Sequence, residues 1–152
     1  MTNPLGLFSP DYHHAAFRFR QAAARTGAHL TRHTIRELAE EQHLTMDVAT
    51  IGSETPRHAV VVSSGVHGVE GFFGSAIQLG WLSRVASGTS LPDGLAVVLI
   101  HAVNPFGFAH VRRVNEDNID LNRNFLESPQ THTGAPDGYA SLDPLLNPAF
   151  PP

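Results

Sequence analysis

A short glycine-rich segment of the sequence carries the residue types of a metal site. In residues 65–71, His67 and Glu70 are three positions apart on a turn that leads toward a predicted helix, so both side chains can face one point. An imidazole and a carboxylate make two of the three protein ligands of a catalytic zinc site, whose fourth position holds water. The segment therefore indicates a metal site, and the alternative interpretation is a helix-capping Glu70 beside a buried His67.

The same segment has partial features of two other sites. Gly65, Gly68 and Gly71 lie between a predicted strand and a helix, but the first gap is one residue longer than in the dinucleotide-binding pattern G-x-G-x-x-G. That pattern also needs an acidic residue at the end of the next strand, where this chain has His101. Residues 63–65 do not form the G-x-S-x-G turn of serine hydrolases. Metal binding is the best supported of these three chemistries.

A second set of polar residues lies in the stretch 102–137, which shows no helix or strand periodicity. Arg112, Arg113 and Arg123 occur here together with asparagines. The planar guanidinium binds a carboxylate through two hydrogen bonds, and near a metal it can stabilise negative charge on a carbonyl oxygen. The alternative is surface ion pairing with the nearby acids, which are Glu116, Asp117, Asp120 and Glu127.

Composition limits the remaining possibilities. The chain has 152 residues, about one domain, and no cysteine, which excludes thiolate zinc sites, disulfides and a cysteine nucleophile. The net charge of -4, with no lysine, gives no basic excess for nucleic acid. No secretion signal is evident, and no apolar run approaches the ~20 residues that span a bilayer. We therefore expect a cytoplasmic protein without nucleic-acid or membrane partners.

A strand–helix–strand unit is predicted to position the glycine-rich segment. Residues 59–62 and 95–100 are short apolar runs, typical of strands buried on both faces. Residues 72–85 between them are apolar nearly all round, which predicts a buried helix that ends before Gly88. Ligands of open α/β sheets bind at the carboxyl ends of strands, and residues 65–71 follow the first strand directly.

The N-terminal part is predicted to contain one helix and two further strands. Ser9 is the expected N-cap, and Gly27 the expected stop. Residues 28–35 and 44–51 have strand character, the second with the alternation of a half-buried strand. The apolar positions of the helix recur at spacings of three and four; they are Tyr12, Ala15, Ala16, Phe19, Ala22 and Ala23.

Three motifs in order resemble the zinc carboxypeptidase superfamily. They begin at Gly65, Asn104 and Asp120, and they read G-x-H-G-x-E, N-P-x-G and D-L-N-R-N-F within residues 60–125. The closest resemblance is to an uncharacterised bacterial branch related to succinylglutamate desuccinylase and aspartoacylase. The resemblance implies an α/β fold of three layers, with a mostly parallel sheet flanked by helices, of which this chain carries the N-terminal half.

The resemblance also implies a role for each matching residue. His67 and Glu70 would bind zinc, and Asp120 would orient the histidine ligand. Asn122 and Arg123 would hold the carboxylate of the substrate. The arginine that polarises the reacting carbonyl would be Arg112 or Arg113, and we favour Arg113 because it is nearer to the D-L-N-R tract. The implied reaction is hydrolysis of an amide bond next to a carboxylate, in a peptide or an acylated amino acid.

The chain departs from the family pattern in one respect. The family's second zinc histidine and its general-base glutamate lie well downstream of the Asn-Arg pair, where this chain has only His132 and Glu127, neither after a predicted strand. His101 and His110 precede that pair and are expected to be packed or surface histidines. We therefore expect residues 1–152 to form one truncated domain of a longer enzyme. The alternative is a catalytically inactive module that binds carboxylates or a partner.

Overall fold

A computed structural model describes residues 4–36, 43–125, 127 and 138–147. In this part of the chain every helix is too short or too polar to cross a bilayer. The elements are, in chain order, α1 (Tyr12–Ala24), β1 (His29–Arg36), β2 (Leu44–Gly52), β3 (His58–Ser63), α2 (Gly71–Ala86), β4 (Leu95–His101), α3 (Pro105–Ala109) and α4 (Tyr139–Leu146). Short 3-10 turns span Pro4–Leu7, Gly68–Glu70 and Leu121–Arg123.

The four described strands form one sheet in the order β1-β2-β4-β3. β3 and β4 are parallel neighbours joined through α2, which confirms the predicted strand–helix–strand unit. β2 pairs antiparallel with both β1 and β4. The fold is therefore mixed α/β, and a mostly parallel sheet is not confirmed by the strands that the structure describes.

Helices α1 and α2 pack on one face of the sheet. The core between them contains Phe19 from α1, Leu79 and Leu82 from α2, and Ile51 and Leu99 from the sheet. All six positions of the predicted apolar stripe of α1 are buried, because residues three and four apart share one helix face. The stripe thus fixes α1 against α2 and against β2 and β4 of the sheet.

The predicted start of α1 was wrong by two residues. The N-cap is Asp11, whose carboxylate accepts a hydrogen bond from the His14 amide at 2.7 Å. The Ser9 hydroxyl instead accepts a bond from the Arg18 guanidinium at 3.1 Å. Serine and aspartate are both good N-caps. Because the Ser9 hydroxyl is bonded to Arg18, Asp11 is the residue that caps the helix. The helix ends at Ala24, and Gly27 lies in the following turn with a φ of 72°.

The prediction that residues 59–62 are buried on both faces was also wrong. β3 is the edge of the described sheet, with β4 as its neighbour, and Val61 is 61% exposed. The predicted all-round burial of α2 is wrong as well, because Phe73 is 63% exposed and Ile77 is also exposed. The hydrophobicity of a segment indicates that burial would stabilise it. It does not show which other elements pack against the segment.

Two ionisable residues lie inside the core on adjacent strands. Asp47 of β2 is opposite His101 of β4, and both are fully buried. Arg20 of α1 places its Nε 3.0 Å from an Asp47 carboxylate oxygen, although burial still raises the pKa of Asp47. The His101 ring stacks on Phe19, and its Nε2 lies 3.0 Å from the Ser75 hydroxyl. The prediction of a packed His101 is confirmed.

His101→Gln is expected to remove a pH dependence of stability. Burial lowers the pKa of folded His101 to about 4, against 6.5 for the ordinary side chain. Between these values the unfolded chain binds more protons, so the free energy of unfolding falls as the pH drops from 6.5 to 4, by roughly 3 kcal/mol. Glutamine stays neutral and keeps a partner for Ser75. Urea unfolding near neutral and near acidic pH measures the difference; equal losses in both proteins would contradict it.

Candidate metal site

The candidate ligands lie on the turn between β3 and α2. Gly65 has a φ of 64°, a left-handed conformation that glycine adopts without strain, and the chain reverses there. His67 then caps the 3-10 turn Gly68–Glu70, which continues directly into α2. His67 Nδ1 lies 3.2 Å from Glu70 Oε1. The structure therefore brings the two predicted ligands together at the carboxyl end of β3.

Asp120 contacts the other nitrogen of the same ring. One of its carboxylate oxygens lies 2.9 Å from His67 Nε2 and accepts the Asn122 amide at 3.0 Å, and the other accepts Arg113 Nε at 2.8 Å. The hydrogen bond from Arg113, followed by those from His67 and Asn122, lowers the pKa of Asp120 to about 2. Asp120 is therefore a carboxylate at neutral pH and accepts a hydrogen bond from Nε2 of the imidazole.

A closed turn brings Arg113 to Asp120, although seven residues separate them. Asn115 accepts the amides of Asp117 and Ile119 through its side-chain oxygen at 3.1 and 2.8 Å, and its own amide donates to the Ile119 carbonyl. The loop returns on itself and places the two ends side by side. The arginine side chain that contacts Asp120 is that of Arg113. Arg112 contacts the rest of the site through its backbone.

A carboxylate faces each ring nitrogen of His67. A neutral imidazole carries one ring proton and can donate to only one of the two carboxylates that face it. When Nε2 of the neutral ring donates to Asp120, the Nδ1 lone pair points toward Glu70. The separation of 3.2 Å between Nδ1 and Glu70 Oε1 is that of a hydrogen bond or ion pair, and it is also close to the ~3.3 Å between two ligand atoms on a tetrahedral zinc ion with bonds of ~2.0–2.1 Å.

A complete set of metal ligands is not present in the part of the chain that the structure describes. No cluster of three or more histidine, cysteine or acidic side chains there has the arrangement of a metal site, and Asp120 faces the ring nitrogen opposite to Glu70. His110 lies at the surface and Glu127 is exposed. His132 lies outside the described residues.

The predicted carboxylate-binding pair lies two and three residues after Asp120. Asn122 and Arg123 lie on the 3-10 turn that begins after Asp120, and both are exposed. Arg123 donates to the carbonyl of Asn122 at 3.1 Å. Among the described contacts neither side chain reaches His67, so the structure places the pair on the same loop as Asp120 and leaves their role a prediction.

Asn104 begins the N-P-x-G motif, whose resemblance implied no role for it, and the structure places it behind the site. It caps α3, accepting the Gly107 amide at 2.8 Å, and it is buried. Gly68 packs against the backbone of Gly107 so closely that a Cβ atom would overlap it. The usable signal in the sequence was an asparagine directly before a proline, which is typical of a helix start.

The chain belongs to the DUF2817 family, which is described as a family of proteins of unknown function. The family model matches residues 8–152. It thus includes both the glycine-rich turn of residues 65–71 and the loop of residues 112–123, called the arginine loop below. No curated protein is significantly similar to the chain.

Proposed function

We propose that this member of the DUF2817 family is part of a zinc-dependent hydrolase of amide bonds next to a carboxylate, acting on a peptide or an acylated amino acid. The observation that supports it most is the position of His67, with Nδ1 beside Glu70 and Nε2 on Asp120. The three motifs that resemble the zinc carboxypeptidase superfamily lead to the same proposal, and with it to a larger, three-layered and mostly parallel fold.

The residues on the turn would bind the metal, and those on the loop would orient the histidine ligand and stabilise charge on the substrate. Zinc held by His67 and Glu70 would lower the pKa of a bound water toward ~7 and polarise the amide carbonyl. Asp120 fixes the imidazole so that Nε2 carries the proton and Nδ1 is free to bind the ion. Arg113 holds Asp120 in place, and its half-exposed guanidinium is accessible to a substrate carbonyl, where it would stabilise developing negative charge.

Zinc-dependent cleavage is the direct test. We would incubate the longer enzyme that is proposed to contain this chain with N-acylated amino acids and with short peptides, with zinc and with a chelator, and measure released amino acid. Release that requires zinc supports the hydrolase. In the part of the chain that the structure describes, the proposed zinc ligands are two, His67 and Glu70, without a third beside them. This favours the second candidate, an inactive carboxylate-binding or interaction module. That candidate predicts carboxylate binding with no release, and absence of zinc binding would contradict the hydrolase.

Arg123→Ala is expected to weaken binding of carboxylate ligands by about 10–100-fold, the value of a hydrogen bond to a charged group. Binding of the matching neutral amide should change little, because the guanidinium contributes mainly through the ligand's charge. Titration of an N-acetyl amino acid and of its C-terminal amide, followed by NMR, measures both affinities. Arg84→Ala, an exposed arginine near the end of α2, is the control. Equal losses for acid and amide would mean that Arg123 does not bind the carboxylate.

A further inference from the structure

We propose that Asn104 is a positioning residue, which holds the Arg113–Asp120 pair at the correct place relative to His67. This inference rests on the proposed zinc site. Asn104 itself touches neither of the candidate ligands; it acts through the backbone of the loop that carries Arg113.

Asn104 joins three parts of the structure. Its backbone amide donates to the Gly65 carbonyl at 2.9 Å, on the turn that carries the ligands. Its side-chain oxygen accepts the Gly107 amide at 2.8 Å. Its side-chain nitrogen points to the Arg113 carbonyl at 3.4 Å, at the long end of hydrogen-bond distances. Only 1% of the residue is exposed, so water cannot substitute for a lost partner and each contact is costly to break.

A backbone contact connects the same parts a second time. The Val69 amide donates to the Arg112 carbonyl at 3.2 Å, and the Arg112 amide donates to the Gly107 carbonyl at 2.7 Å. Gly68 lies directly against Gly107. The turn with the ligands and the start of the arginine loop therefore form one rigid unit, and Asn104 lies at its centre.

A series of hydrogen bonds links Asn104 to the proposed metal ligand His67. From Asn104 it runs to Arg113, then through the ion pair to Asp120, and from Asp120 to Nε2 of His67. A small shift of the Arg113 backbone moves Asp120 away from the ring nitrogen. Because an outer hydrogen bond sets the tautomer and orientation of a histidine ligand, such a shift weakens metal binding without removing a ligand.

Two variants separate this role from simple helix capping. Asn104→Asp keeps the oxygen that caps α3 and removes the donor to Arg113. Asn104→Ser also keeps a capping oxygen and no longer reaches Arg113. The control is Gln78→Leu, which removes another buried amide; Gln78 bonds to Ser64, Val62 and Ile100 and makes no described contact with the arginine loop. Circular dichroism and thermal melting establish that each variant is folded.

Cobalt(II) is the probe, because its visible spectrum reports ligand geometry. We expect the unmodified chain to bind one cobalt ion, and both Asn104 variants to bind it about 10–100-fold more weakly with an altered spectrum. Gln78→Leu should lower the melting temperature and leave the spectrum unchanged. Ring nitrogen shifts of His67, measured by NMR without metal, should also differ between the Asn104 variants and the unmodified chain.

The outcomes separate the two proposals. If the unmodified chain binds no cobalt but the Asn104 variants still shift the His67 ring signals, the zinc proposal fails and the positioning role stands. If folded Asn104 variants match the unmodified chain in both cobalt affinity and His67 ring shifts, Asn104 does not position the site. If Gln78→Leu alters the spectrum as strongly, loss of stability explains the effect and the positioning role is overturned.

Discussion

Zinc binding by this chain is expected to be lost when His67 is replaced by alanine. The affinity should fall by more than ~100-fold, because removal of a ligand costs more than the 10–100-fold that follows loss of a ligand's outer hydrogen bond. In this variant Glu70 would be the one remaining member of the proposed ligand pair, whose atoms His67 Nδ1 and Glu70 Oε1 lie 3.2 Å apart. Isothermal titration with zinc gives the affinity, and metal analysis after dialysis gives the stoichiometry.

The controls separate ligand loss from unfolding. His67 is buried, so the alanine variant loses packing as well as a nitrogen. Glu70 has a side chain that is 67% exposed, so Glu70→Gln should weaken zinc binding strongly without lowering the melting temperature. His14→Ala removes an exposed histidine of α1 and should leave zinc affinity unchanged. One zinc ion per chain retained in His67→Ala would contradict the metal assignment.

The sequence predicted the elements of the fold better than their surroundings. The spacing of Phe19 and its neighbours on α1 determined which face is buried, because helical geometry alone sets that face. The run of valines in β3 predicted a strand but not its 61% exposure at Val61. Exposure depends on the elements that lie beside a strand, and that information is not contained in the strand itself.

For the candidate site, the sequence predicted the contact between residues close together on the turn, but it did not identify which acid the arginine on the loop contacts. His67 and Glu70 are close because a turn entering a helix brings positions i and i+3 together. The contact of Arg113 with Asp120 depends on the turn held by Asn115, and acids at 116 and 117 were equally plausible partners from spacing. The ion pair between buried Asp47 and partly exposed Arg20 was not predicted, since it joins β2 and α1.

The close packing behind the site explains why a small residue is needed at position 68. Gly68 has an ordinary backbone conformation, and what excludes a side chain is the backbone of Gly107 and Phe108, which cannot rotate away as a side chain would. Gly68→Ala is therefore expected to lower the free energy of unfolding by about 2–3 kcal/mol, the upper range for overpacking. Thermal and urea unfolding measure the loss.

The same substitution is expected to weaken zinc binding, although alanine touches no ligand. To make room for the added methyl group, the turn with His67 must move away from α3, and the hydrogen bond from Val69 to the Arg112 carbonyl at 3.2 Å must lengthen. Asp120, held by Arg113, then no longer meets the imidazole. Gly6→Ala is the control, since a Cβ there meets no atom within 4 Å. A stable Gly68→Ala chain with unchanged zinc affinity would show that the turn and the arginine loop move independently.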